Sequence, residues 1–510
     1  MLLQTCPNEI VHWILYFSVL SRGVRRALRL KLVCKFFRDA LQPALFESRL
    51  LDTLASGLRD GIDEALRSTN TTYFTRSNSP YKLWHDYAAV RVATDSDPAF
   101  SRFAQVRCVA RKFCEETGGN LDETITDLCW FASSGWFEED TSQHAAEAVK
   151  SSGTIGDLLS VASYYGNMSL ALELLNAVPV FMDSSIVLPS PMYMAAYTGN
   201  KELLSVFQER MPEFVKLGPN EGRDWRSKRG PGAILGAVRR GNMDILQLAM
   251  NPPTSTILRV RDHEELRSGL CDAISWCLPP TIEILEFLRA NIGGLHYKWE
   301  VTRYARLGRA DMVQHFLDNG IEVRGYQGPG GNILREAVRH CQWDVIDLLL
   351  TRGADMKFWD PIQDNRSPRN INSSTIVAAA QSGNVETMKK VFDLGAILDE
   401  PRRWRRFFLG HLALTAAVEL EHAEMVELLL EKGAGDLFWP WFRRSESARV
   451  LRKKPLRRAI VLGLDSMVDL LRQKGITMES LTKDLWLVWH FEKPSMDYVG
   501  GFAADGVQSR

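Results

Sequence analysis

A small residue that is followed four positions later by a turn recurs along most of this chain, and this repeat limits the fold more than any other feature. The copies are Ala162, Ala195, Ala237, Ala273, Tyr304 (with Ala305 beside it), Ala337, Ala379, Ala417 and Ala459. In six copies the turn is Gly166-Asn167, Gly199-Asn200, Gly241-Asn242, Gly308-Arg309, Gly383-Asn384 or Gly463-Leu464. Intervals of roughly 30 to 40 residues are typical of proteins that stack one repeated unit.

The copy at 332–355 shows what one unit contains. Apolar residues at helical spacing predict two short helices, with Ala337 in the first and Leu349 in the second. Only four residues separate the helices, and Gly353 closes the second, because glycine accepts the left-handed conformation of a helix end. Such a hairpin cannot bury both of its faces alone, so it needs copies of itself on either side.

The units at 345–355 (VIDLLLTRGAD) and 425–435 (MVELLLEKGAG), together with the A-x-x-x-G-N turns, resemble the ankyrin repeat. The resemblance covers residues 151–478, although the T-P-L-H start of that family is absent from every copy. It implies an all-α solenoid of about nine degenerate helical hairpins, with fingers projecting between successive units. Another α-solenoid of helical hairpins is the alternative.

The N-terminal residues 1–50 carry two further amphipathic helices. Pro7 opens the first, which we expect to be broken at Ser21-Arg22-Gly23, and the second is predicted over 27–41, with Pro43 ending it. This segment is similar to an F-box. Matching positions include Pro7, Glu9, Ile10, Ile14, Leu15, Leu30, Val33, Cys34, Lys35, Phe36 and Phe37. Cys6 replaces the usual leucine, and the arginine-rich link 22–29 is longer and more basic than in the family.

The F-box resemblance implies a partner, the small adaptor subunit of cullin–RING (SCF-type) ubiquitin ligases. The residues that it places on the binding face are Pro7, Ile10, Ile14, Val33 and Phe36. On this interpretation the chain is a non-enzymatic substrate-recognition adaptor. The alternative is an ankyrin interaction scaffold without a link to ubiquitin, whose N-terminus only caps the repeats.

The remaining segments complete the domain organisation. Residues 51–150 are predicted to be a helical spacer or N-terminal cap, with helices over 81–92, 99–117 and 121–133. We expect residues 479–510 to hold a C-terminal cap helix and a disordered tail.

Large aromatic residues in the connections between hairpins are candidate contacts for protein partners, because tryptophan, tyrosine and arginine dominate binding hot spots. These finger residues are Trp225, Tyr326, Trp359, Trp404, Trp439 and Trp441. We expect partners to bind along the fingers and the concave face of the solenoid. The alternative for any one of these side chains is that it folds back onto its own helices.

No pattern of catalytic or metal-binding residues is present, so we expect no enzyme activity, cofactor or metal. Lys and Arg number 62 and so do Asp and Glu, which argues against a general nucleic-acid or membrane binder. The eight cysteines form no C-x-x-C pair and are expected to be free thiols of a reducing compartment. We therefore expect a cytoplasmic or nuclear protein.

Overall fold

The computed structural model describes residues 6–30, 34–52, 81–95, 102–132, 153–177, 188–210, 232–251, 279–292, 300–323, 333–356, 374–398, 409–434 and 455–476. All regular secondary structure in these ranges is helical, which confirms the predicted all-α class. The chain divides into two compact units, Met1–His296 and Tyr297–Arg510. Ala273, Val33 and all six finger residues lie outside the described ranges.

The first unit contains twelve described helices. They are α1 (Asn8–Leu30), α2 (Lys35–Glu47), α3 (Tyr81–Thr94), α4 (Arg102–Thr117), α5 (Leu121–Ala132), α6 (Gly153–Tyr165), α7 (Met168–Ala177), α8 (Pro191–Thr198), α9 (Lys201–Arg210), α10 (Gly232–Arg240), α11 (Met243–Met250) and α12 (Ile282–Ile292). The three helices predicted in the spacer correspond to α3, α4 and α5. From α6 to α11 the helices form consecutive pairs, and α8 packs against both α6 and α10.

The second unit continues the pattern of helix pairs. Its helices are α13 (Glu300–Arg306), α14 (Ala310–Asp318), α15 (Ile333–Arg339), α16 (Trp343–Thr351), α17 (Thr375–Ser382), α18 (Val385–Asp393), α19 (Leu409–Glu419), α20 (Ala423–Glu431), α21 (455–461) and α22 (Asp465–Gln473). The first helices of successive pairs pack in the order α13, α15, α17 and α19, and the second helices α14 and α16 also touch. Each pair thus buries its faces against the next one.

The repeated small residue lies at the centre of this packing. All eight described copies, which are seven alanines and the larger Tyr304, are fully buried, with no exposed surface. Four residues later the backbone turns left-handed in every case, even where the residue is Cys341 (φ 57°) or Glu421 (φ 51°) instead of glycine. In most copies the buried residue's carbonyl accepts a hydrogen bond from the amide five positions on, as from Asn200 to Ala195 at 2.9 Å. The register of helix and turn predicted from the sequence is therefore correct at these positions.

Asparagine follows the glycine because it begins the second helix. The side-chain oxygens of Asn167, Asn200, Asn242 and Asn384 each accept a hydrogen bond from the amide three residues on, at 3.0–3.1 Å. These bonds satisfy amides that the first turn of a helix leaves without a partner. A Gly-Asn pair therefore ends one helix and starts the next within two residues.

The helix boundaries in the N-terminal segment differ in part from the prediction. The predicted break of the first helix is confirmed at Gly23, where the backbone is non-helical (φ 75°, ψ 169°) and kinks α1 before the helix resumes to Leu30. Helix α2, however, begins only at Lys35 and includes Pro43. A proline inside a helix costs about 3 kcal/mol. Leu45 and Phe46 beyond it are buried, and each such side chain stabilises by about 1.5–3 kcal/mol. Burial of the last turn outweighs the cost of the proline, so Pro43 does not end the helix as predicted. The predicted continuous helix over 27–41 is also wrong, because Cys34, the residue before α2, has an extended backbone (φ −161°, ψ 168°).

Candidate protein-docking face on the first helix

The first helix has two apolar faces, of which the described residues cover only one. Val11, Leu15 and Val19, spaced by four residues, are buried against α2. The neighbouring positions form a second stripe at spacings of three and four residues, which we call the outer face of α1. It consists of Ile10, Trp13, Ile14, Phe17 and Leu20, whose exposed fractions are 51, 51, 42, 60 and 43%.

The aromatic rings of α1 are packed against one another along the helix. The Trp13 and Phe17 rings are stacked with centroids 5.9 Å apart, and the Tyr16 ring meets each of them edge-on at 5.6 Å. Ring-to-ring contact restricts the side-chain rotamers before any partner arrives. Less side-chain entropy is then lost on binding, and this loss is one of the main costs of association.

The second helix holds α1 in place. Leu41, Ala44 and Leu45 are buried in the core that α1 and α2 share. At the edge of this core, His12 Nε2 lies 2.6 Å from Glu47 Oε2. Since α2 fixes the buried face of α1, the outer face is presented on a supported helix.

Helix α3 completes the same core from the spacer. The Tyr87 ring packs against Phe46 with centroids 5.4 Å apart, and its hydroxyl donates to Asp52 Oδ1 at 2.7 Å. Burial, and then this hydrogen bond, raises the pKa of Tyr87 to about 12. Arg91 donates to both Asp52 and Asp95, while Gln42 donates to Asp86 at 3.1 Å. Residues 34–52 and α3 therefore share one network.

The predicted binding residues are distributed unevenly around this face. Ile10 and Ile14 lie on the outer face, and Pro7 is exposed immediately before α1, where its carbonyl accepts from the Val11 amide at 3.1 Å. Phe36 is half-buried at the start of α2, edge-on to Phe37. Val33 lies outside the described residues, so the structure brings only Ile10 and Ile14 together on one stripe.

The binding residues predicted from the sequence do not include three members of the outer face, Trp13, Phe17 and Leu20. The signal was present, because residues 10, 13, 14, 17 and 20 follow helical spacing. The two apolar stripes are adjacent, however, and periodicity alone cannot say which of them faces α2. The helix pairing in the structure separates them.

Three further features of the described residues bear on the site. Among them, no group of three or more His, Cys, Asp or Glu side chains could hold a metal ion. Cys6 is half-buried just before α1, and Cys34 is exposed just before α2. No helix within the described ranges is both long and apolar enough to cross a membrane. The feature that distinguishes this site is its exposed apolar surface.

Comparison with known proteins gives no family for the chain. No protein-family model matches the sequence, and no curated protein is significantly similar to it.

Proposed function

We propose that this protein is a non-enzymatic substrate-recognition adaptor of a cullin–RING ubiquitin ligase. In this proposal the outer face of α1 binds the ligase's small adaptor subunit, and the stacked helical hairpins hold the target protein. The observation that carries the proposal is the outer face itself. Five large apolar side chains are 42–60% exposed on one side of a helix whose other side is buried. Contiguous apolar surface of this kind marks interaction sites in soluble proteins.

The repeats support the target-holding half of the proposal. Short helix pairs, left-handed turns at a fixed register and asparagine caps are features expected of ankyrin-type hairpins, and we assign the pairs in each unit to that type. Repeats of this kind serve as extended binding surfaces because each unit adds exposed area without needing a larger core. That Trp225, Tyr326, Trp359, Trp404, Trp439 and Trp441 contact the target stays a prediction.

A second candidate is an ankyrin-type scaffold without a link to ubiquitin. The network of Tyr87, Arg91 and Asp52 favours it, because this network joins the N-terminal helices to α3 as a terminal cap would be joined. A cap, however, needs only its inner face to be apolar. The outer face of α1 has no role in this second candidate. It is therefore the feature that discriminates between the two candidate functions.

The two candidates differ in a co-purification experiment with the full chain. The purified ligase adaptor subunit is mixed with wild-type protein, with Phe17→Asp and with Val461→Asp, and each mixture is separated by size-exclusion chromatography. Val461 is 66% exposed on α21, so its substitution is a matched control for placing a carboxylate on an exposed apolar site. The adaptor proposal expects co-elution with wild type and Val461→Asp but not with Phe17→Asp. Separate elution of the wild-type protein and the subunit supports the scaffold.

A further inference from the structure

A second exposed surface lies on the first helices of three consecutive pairs in the first unit. At the same register, two residues after the buried alanine, stand Tyr164 on α6, Tyr197 on α8 and Arg239 on α10. With the adjacent Tyr165 and Arg240 they form what we call the tyrosine–arginine face. Tyr165 and Arg240 are exposed, and the other three side chains are half-buried.

Ring contacts connect this face from helix to helix. The Phe131 ring of α5 is edge-on to both Tyr164 (5.2 Å) and Tyr197 (5.5 Å). Tyr197 is stacked parallel to Tyr193 with centroids 6.1 Å apart, and the Arg240 guanidinium carbon lies 5.8 Å from the Tyr197 ring centre. The side chains are therefore ordered in advance as one continuous surface.

A glycine brings α8 and α10 close enough for these contacts. A Cβ atom added at Gly236 of α10 would lie 2.3 Å from the Tyr193 carbonyl oxygen, so no side chain fits there. The Arg239 guanidinium on the same helix donates to the Tyr193 hydroxyl at 3.4 Å. The close approach of the two backbones sets both arginines beside the tyrosines.

The electrostatics of this face indicate the kind of partner that it fits. Along α6, α8 and α10 the exposed or half-buried charges are Arg239 and Arg240, because Asp157 is buried and accepts from the Leu188 amide. One carboxylate reaches this face from α5, since Asp127 accepts from the Tyr165 hydroxyl at 3.1 Å. Within the described residues Arg240 forms no ion pair. Its contact with the Tyr197 ring leaves the N–H donors of the guanidinium available.

In the second unit, arginines on the first helices of the pairs are paired with a carboxylate of the chain itself. Arg306 and Arg335 both bind the carboxylate of Glu336, with N–O distances of 2.6 and 2.5 Å, and Glu336 is fully buried. There the chain supplies its own anion. On the tyrosine–arginine face, the part of the chain that the structure describes supplies no anion to Arg240.

We propose that the tyrosine–arginine face binds an acidic segment of a partner protein, with a partner carboxylate on Arg240 and partner apolar side chains on Tyr164 and Tyr197. Arginine binds carboxylates through two parallel N–H donors, and tyrosine rings give large contact area at low entropic cost. This inference rests on the proposed function, since it names the chemistry of the target segment that the repeats hold.

The test uses the full chain and synthetic peptides of about twelve residues in which Glu alternates with Leu, Phe or Tyr. Each peptide has a counterpart with Gln in place of Glu, and binding is measured by fluorescence anisotropy. The variant is Arg240→Glu. Arg210→Glu makes the same charge change at an exposed arginine of α9 that bonds Asn176. Circular dichroism confirms that both variants are folded.

The proposal expects acidic peptides to bind at least about fivefold more tightly than their Gln counterparts, with the preference lost in Arg240→Glu and kept in Arg210→Glu. Equal binding of acidic and Gln peptides, or an equal loss in both variants, overturns it. The proposal is also overturned if the protein binds a single-stranded RNA in an Arg240-dependent manner and does not bind the peptides. The ligase adaptor subunit is titrated in parallel. We expect the Arg240→Glu variant still to bind the adaptor subunit, and the Phe17→Asp variant still to bind the acidic peptides. Either proposal can therefore fail without the other.

Discussion

At the scale of single residues, the turn between the helices of each pair requires a left-handed backbone. Glycine adopts it without strain, but Cys341 and Glu421 occupy it with φ of 57° and 51°. A side chain in this conformation costs about 1–2 kcal/mol. The neighbouring buried helices evidently stabilise the turn enough to bear that cost.

Glu421→Gly is therefore expected to stabilise the protein. Relief of strain exceeds the extra chain entropy that glycine loses, which leaves a gain of roughly 0.5–1 kcal/mol. Urea unfolding of the wild type and the variant measures the difference. Glu424→Gly, inside the first turn of α20, is the control and should destabilise by roughly 0.5–1 kcal/mol. A lower urea midpoint for Glu421→Gly would contradict the assigned backbone conformation.

Glu336 is the residue whose environment the sequence did not reveal. It is fully buried beside Ala337, between Arg306 of α13 and Arg335. Burial alone would raise the pKa of Glu336, but the charges of Arg306 and Arg335 outweigh it and hold the pKa below its ordinary value of 4.5. Because the folded-state pKa is the lower one, this group contributes stability above pH 4.5, which is lost as the pH falls through the folded-state pKa.

Removing Arg306 is expected to destabilise the second unit more at pH 7 than at pH 4. Arg306→Met leaves the buried carboxylate undercompensated, at a cost of about 3–5 kcal/mol at pH 7. Near pH 4 the carboxyl group can take up a proton instead, so the cost is smaller. Urea unfolding at both values measures it, and the double variant Arg306→Met with Glu336→Gln should recover part of the loss at pH 7. An equal loss at both pH values would exclude this account.

At the scale of elements, α1 shows both what the sequence predicts and what it leaves open. Its apolar pattern predicted an amphipathic helix from Pro7, and Gly23 was correctly marked as irregular. The pattern could not separate Val11 and Leu15 from Ile10 and Ile14, because residues adjacent in sequence differ by only about 100° around a helix. Only packing against α2 decides which stripe is buried.

A carboxylate should therefore destabilise the protein strongly at one position of α1 and very little at a position two residues further on. Leu15→Asp buries a charge without a partner and is expected to cost several kcal/mol, while Phe17→Asp should leave the thermal midpoint within a few degrees of the wild type. Circular dichroism melts of the two variants give the comparison. Similar melting of both proteins would mean that the faces of α1 are wrongly assigned.

The helix pairs themselves were predictable, and their buried ionic contacts were not. A buried alanine with a turn four residues later is a local pattern, so residues such as Ala195 and Gly199 predict the helix pair directly from the sequence. The bond between Arg306 and Glu336 joins residues of different pairs, and an arginine and a glutamate in isolation look like solvated surface residues. The predicted helix end at Pro43 failed for the same reason. The burial of Phe46, which compensates for the proline, is a tertiary contact that a local sequence pattern does not show.

At the scale of the whole molecule, the two compact units provide surfaces of different kinds. In the first unit, the apolar outer face of α1 and the cationic tyrosine–arginine face suit different partners. The second unit is a run of helix pairs whose arginines Arg306 and Arg335 are neutralised internally. In the two proposals made above, these faces are separate docking surfaces that bring two partners together, which is the property that a ligase adaptor requires.

The central claim is that the outer face of α1 binds the small adaptor subunit of a cullin–RING ligase, and isothermal titration of that subunit into the full chain tests it most directly. The account predicts saturable one-to-one binding with a negative heat-capacity change, because apolar surface leaves water on association. It also predicts that Phe17→Asp weakens the affinity by at least about tenfold, the equivalent of about 1.4 kcal/mol. Absence of binding heat for the wild-type chain, at several temperatures and at concentrations of tens of micromolar, would contradict the claim and leave the N-terminal helices as a cap.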